Sequence, residues 1–126
     1  MILGRLTVAM CLLAAPAMWA QYSKNDMTKL ASERFDTASK TLNLTADQAN
    51  AIRPLIQTKY IYLGQVKDVY MASSKSETDK KTAKTSLKAI VDKYNGQIAT
   101  LLTPEQSKAW KRMLKDWKDD ANTPKS

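Results

Sequence analysis

Beyond residue 25 the apolar side chains return every three or four positions in four separate runs, the spacing of one buried face on an α-helix. In residues 26–42 they are Met27, Leu30, Ala31, Phe35, Ala38 and Leu42. Asn43 and Leu44 lead to Thr45, and a long second helix is predicted over residues 46–73, with Ile52, Ile56, Leu63, Val66 and Tyr70 in the spacing of a packed seam. The polar residues 73–78 read as a turn. The third helix is predicted over 79–101, with Ala83, Leu87, Ile90, Val91, Tyr94, Ile98 and Leu101 on its buried side. The fourth is predicted over 104–120, grouping Trp110, Met113, Leu114 and Trp117, and 122–126 reads as a frayed tail. Glycine stands only at positions 4, 64 and 96, and no segment alternates polar and apolar over a strand's length. The fold class is therefore all-α, with about four helices. The middle two, joined by a short polar turn, form a long antiparallel hairpin.

Two helix starts have the same chemistry. Thr45-Ala46-Asp47-Gln48 and Thr103-Pro104-Glu105-Gln106 are capping boxes, in which the threonine oxygen accepts from the third helical N–H and the glutamine reaches back to the threonine N–H. Asp47 and Glu105 place negative charge at the positive helix ends, and Pro104 occupies the first helical position, where its missing N–H costs nothing. Leu44 and Leu102 precede the caps. Their staple partners would be Ala49 and Ser107, too small for the purpose, so both leucines are expected in the core. With an offset of 58, Leu44, Thr45, Gln48, Ile52, Leu55 and Ile56 match Leu102, Thr103, Gln106, Trp110, Met113 and Leu114. One capping box is common. A pair with matching apolar spacing behind it is far more specific.

The chain begins with a single positive charge, Arg5, a mostly apolar run from Leu6 to Ala15, and then Pro16 and small residues. This is the pattern of a secretory signal peptide over residues 1–20, cut after Ala17 or Ala20. The apolar run is about half the roughly 20 residues a membrane span requires, so no transmembrane segment is expected after cleavage. Met10 before Cys11 argues against lipidation. Losing the leader removes the one cysteine, so no disulfide is available and stability must come from packing or oligomerisation. Residues 21–126 form one helical domain. Without the leader, which carries one of the 20 basic residues, the 12 acidic side chains leave a net charge of +7. Such a protein is drawn to acidic surfaces, and export ranks nucleic acid last among them.

The strings LNLTADQANAIRPLI and LLTPEQSKAWKRML resemble the paired LTxxQ motifs of the Spy/CpxP family of bacterial periplasmic proteins. The similarity extends to the order of leader, first helix, motif, long hairpin, second motif and final helix. It implies a periplasmic, all-helical, cradle-shaped homodimer. For the best-known members it implies an ATP-independent chaperone that suppresses aggregation under stress. Other members restrain the sensor kinase of an envelope-stress response or bind metal.

Catalysis has little support, because there is no histidine and no cysteine outside the leader. Asp119 and Asp120 read as a solvated helix end, and no cofactor is expected. Metal binding is not carried over: Met27, Met71 and Met113 are far apart and read as core or interface residues. Binding to unfolded protein fits better, since long-range charge and scattered apolar contacts hold many chains without fixing one geometry. Lys80, Lys81, Lys84 and Lys88 form a basic stripe on the third helix, and Lys108, Lys111, Arg112, Lys115 and Lys118 form one on the fourth. Tyr60, Ile61, Tyr62 and Leu63 point around the second helix in more directions than one face can bury. That surplus marks an interface with a client or a second subunit. The candidate working surface is therefore Tyr60, Ile61, Tyr62, Lys81, Lys84, Lys88, Lys111, Arg112 and Lys115. A regulator docking on a sensor kinase domain is the alternative, and anionic lipid a third. Pro54, inside the second helix, is expected to bend it into a concave surface.

Overall fold

The computed structural model describes residues 24–124, so the leader with its two cleavage positions lies outside the described residues, as do the last two of the tail. Among the described residues the chain forms α1 (Lys24–Leu42), α2 (Ala46–Met71), α3 (Glu77–Ala99), α4 (Pro104–Asp116) and a 3₁₀ turn (Lys118–Ala121), with no strand. Over these residues the fold is all-α with four helices.

Each boundary has a local cause. At the end of α1, Asn43 takes φ 52°, the left-handed conformation that asparagine tolerates. Its N–H bonds to Lys40 and that of Leu44 to Ser39, which closes the last turn of the helix. α2 stops two residues sooner than its apolar pattern suggests. Ser73 turns back to donate to the Tyr70 carbonyl at 2.6 Å, and Lys75 takes φ 57°. α3 starts two residues earlier than expected because the Ser76 hydroxyl accepts from the Asp79 N–H and caps it. α4 ends at Asp116, and Trp117 redirects the chain into the 3₁₀ turn. The tail is also less free than expected, since Asn122 bonds to Asp119 through its backbone and its side chain. Pro54 is exposed within α2, and the helix continues through it.

α2 and α3 pair antiparallel, as the cross-hairpin contacts Lys59–Asn95 and Tyr62–Tyr94 show. α1 packs along α2 in the opposite sense, with Arg34 reaching Tyr60 and Arg53 lying over the Phe35 ring at 4.3 Å. α4 rests on α1, and the 3₁₀ turn returns to α3. The buried faces merge in one core of Met27, Ala31, Phe35, Ala38 and Leu42 with Ile52, Ile56, Tyr60, Leu63, Leu87, Ile98, Trp110, Met113 and Trp117. Burial of each large apolar side chain contributes about 1.5–3 kcal/mol. Trp110 and Trp117 meet edge-on, centroids 5.6 Å apart. Leu44 and Leu102 pack half-buried against this core. Leu101 does not join it: at 39 % exposure it sits in the turn after α3, where the helical period has lapsed. Tyr70 and Ala83 are buried outside the main cluster, at the far end of the hairpin.

Candidate functional site

The two capping motifs meet. Both boxes are complete, with Gln48 and Gln106 each donating a backbone N–H to the cap threonine hydroxyl and accepting from the threonine N–H through the side-chain oxygen. The Gln48 amide nitrogen also donates to the Gln106 side-chain oxygen at 2.7 Å, and that of Gln106 donates to the Gln48 oxygen at 3.0 Å. The remaining donors go to backbone carbonyls, Gln48 to Leu101 and Gln106 to Leu42. Each amide thus fills two donor and two acceptor positions, the full capacity of a glutamine. The motif residues Leu44, Thr45, Gln48, Leu102, Thr103 and Gln106 join the start of α2 to the start of α4.

A second polar centre lies deeper. Asp120 is 5 % exposed, so it is not the solvated helix end expected from its neighbours. The Tyr60 hydroxyl donates to its carboxylate at 2.5 Å, and Arg34 Nη2 reaches the other oxygen at 3.5 Å. Lys59 Nζ is 3.6 Å away and donates to Asn95 at 2.9 Å. Arg34 Nε donates to the Tyr60 hydroxyl, and both cations lie over the Trp117 ring. Burial pulls the Lys59 ammonium down to about 8, against the Asp120 charge that favours it. Burial, reinforced by that carboxylate, pushes the Tyr60 hydroxyl well above its ordinary range. Lys67 is lowered too, again first by desolvation. Among the described residues no buried side-chain nitrogen or oxygen lacks a partner.

Tyr60 therefore leaves the candidate surface: it is fully buried, and its hydroxyl is committed to the core. The reason is the stripe Ile52, Ile56, Lys59, Tyr60, Leu63, which follows the helical period. Lys59 on that stripe is the readable sign of a buried cation. Asp120 has no such sign, because a 3₁₀ turn has a different period.

The outer face of the hairpin keeps the rest of the apolar surplus. Ile61 is half-buried, whereas Tyr62 is 42 % and Val69 72 % exposed. Residues 62, 66 and 69 follow one another along a single helix face. Tyr62 leans on Tyr94 across the hairpin, centroids 6.1 Å apart, with Lys93 over the Tyr94 ring. Further toward the tip, Val66, Val69, Tyr70 and Ala83 line an open groove of about 300 Å³, edged by Gln65, Ser73, Thr82 and Ser86. Its one charged lining residue is Asp79, whose carboxylate accepts from Ser74 at 2.6 Å. That bond and those to Ser76 hold it below the usual carboxylate range.

The expected basic residues are all exposed. Lys81 and Lys84 flank a shallow depression on early α3, and Lys88 is paired with Asp92 at 2.7 Å. Lys111, Arg112 and Lys115 lie on α4, a separate stripe from that on α3. Met27 and Met113 are core residues and Met71 is half-buried. Among the described residues no acidic cluster is placed to hold a metal, and no helix is long and apolar enough to cross a membrane. Compared with protein-family models, curated proteins and solved structures, the chain matches none.

Proposed function

We propose that the chain is a periplasmic, chaperone-like protein that binds unfolded or stress-damaged envelope proteins reversibly and without nucleotide, on the outer face of the α2–α3 hairpin. The observation that carries this reading is the row of Tyr62, Val69 and the apolar groove beside them. Polar but mostly uncharged side chains edge that groove, and Lys80, Lys81 and Lys84 lie on the same stretch of α3 but on a different face. Lysines draw in an acidic chain over a distance of about 8–10 Å at physiological salt. The apolar row then offers contacts without a fixed hydrogen-bond pattern, which suits clients of many sequences. The resemblance of the two LTxxQ motifs to the Spy/CpxP family supports the same reading, as does the signal-like leader. A second copy of the chain, paired through the hairpin faces, would extend the row into a cradle.

Aggregation of a chemically denatured, unrelated protein, followed by light scattering, tests the proposal. Suppression at stoichiometric amounts is the expected result, weakening as salt is raised. No suppression would sink the chaperone reading and promote docking on a sensor kinase domain instead.

A further inference from the structure

Helix α4 presents a charged face that the hairpin reading leaves unused. Lys108, Lys111, Arg112 and Lys115 follow the i, i+3, i+4, i+7 spacing of a single helix face, and Lys118 extends the row into the 3₁₀ turn. All five are exposed, and among the described residues the ion pairs engage other cations: Arg34, Lys59 and Lys88. Trp110 and Met113 on the opposite face are buried, which fixes the row on the outside of the bundle. The exposed acids Glu105 and Asp116 lie toward one flank of the helix.

What this face lacks identifies its partner. Among the described residues the exposed large apolar side chains are Tyr62, Val69 and Leu101, none of them on α4. A specific protein interface is built around aromatic or other apolar anchors in desolvated pockets, and a cation row without one has nothing to insert. Reading a base sequence adds stacking aromatics or amide side chains at base edges, whereas Trp110, the aromatic of α4, is buried. A sheet of diffuse negative charge requires neither. Phosphate-backbone binding also needs only such cations, and the signal-like leader ranks it behind lipid. Four of the five cations are lysines, mobile point charges rather than rigid bidentate forks, and these suit fluid headgroups. We infer that the outer face of α4 docks the protein on an anionic lipid surface, leaving the hairpin free. The inference does not depend on the chaperone reading.

Flotation of the full chain with phosphatidylcholine vesicles, with and without phosphatidylglycerol, tests it. Binding should be stronger on the anionic vesicles and fall as salt rises. Lys111→Gln and Lys115→Gln should each lower it about fivefold, the factor that matches about 1 kcal/mol per cation near such a surface. Because the apolar leader can bind either vesicle type by itself, the same comparison is made on residues 21–126 as well. Lys81→Gln and Lys84→Gln on α3, each removing one charge as the α4 variants do, serve as the controls and should change binding little. Equal binding to both vesicle types overturns the inference. So does an α3 variant that loses as much as the α4 variants, or tighter binding to duplex DNA or to an acidic protein than to the anionic vesicles.

Discussion

The Tyr60 hydroxyl and the Asp120 carboxylate, 60 residues apart in the chain, lie 2.5 Å apart in the core. Around them Arg34 from α1, Lys59 from α2 and Asn95 from α3 complete one network, so the carboxylate ties the 3₁₀ turn directly to α1 and α2 and, through Lys59, to α3. Removing one partner of a buried ion pair strands the other, typically at about 3–5 kcal/mol. Asp120→Ala should lower stability to urea by about 3 kcal/mol, toward the low end because Arg34 is partly exposed. Adding Lys59→Met should recover much of the loss, since the stranded ammonium is then gone. A double variant as weak as the two losses summed would show that the groups act separately.

The same centre sets a pH profile. The Lys59 pKa falls from 10.5 to about 8 on folding, so between those values the unfolded chain holds the extra proton. Stability from this group is therefore lowest below pH 8 and rises as pH climbs toward 10.5. Tyr60 works in the opposite direction. Its folded pKa is raised, so above about pH 10 the unfolded chain ionises first and stability falls. Urea midpoints should rise from about pH 8 to about pH 10 and then decline. Lys59→Met should flatten the rising limb, and Tyr60→Phe should soften the decline.

An isolated capping box accepts glutamate in place of glutamine. Here Gln48 and Gln106 each donate twice, which a carboxylate cannot do. Gln106→Glu should cost about 1–3 kcal/mol through stranded acceptors and repulsion from the Leu42 carbonyl. Thermal unfolding reads this directly, and a variant as stable as its parent would refute the pairing. The losses in Gln48→Ala and Gln106→Ala should not add, because either removes the shared bonds.

Pro54 is exposed and withholds an N–H from the Asn50 carbonyl inside α2. Pro54→Ala should raise the free energy of unfolding in urea, by as much as about 3 kcal/mol. A fall instead would mean that the neighbouring residues are fitted to a bend that the proline makes.

Val69→Asp separates function from stability. At 72 % exposure the substitution should change stability by no more than about 0.5 kcal/mol. It should nevertheless weaken suppression of aggregation, by placing a charge where the apolar row meets the groove. Unaltered suppression would move the client surface away from the hairpin groove.

Helical periodicity reveals most of the architecture. The α1 set is buried or half-buried as spaced, and Ile52, Ile56, Leu63 and Tyr70 face inward on α2. Both capping boxes form at the residues that spell them. What periodicity does not convey is the meeting of elements distant in the chain. Each glutamine, read alone, caps only its own helix, and nothing local indicates that Gln48 faces Gln106. Tyr60 departs from expectation for a related reason: four apolar residues in a row do not say which of them a neighbouring helix will cover. Asp120 departs from it because the 3₁₀ turn abandons the period that makes α4 legible. The start of α3 departs from expectation by two residues because the apolar period begins later than the cap that Ser76 makes with the Asp79 N–H.

The glutamine pair also makes the chain an object of two complementary pieces. One glutamine belongs to the α1–α2 half and the other to the α3–α4 half, and the chain crosses between them once, through the turn at residues 72–76. The carboxylate centre is divided the same way, with Arg34, Lys59 and Tyr60 on one side and Asn95 and Asp120 on the other. A protein nicked in that turn would keep every one of these bonds. Its two fragments, mixed after separate preparation, have the means to find each other and rebuild the bundle without a covalent link.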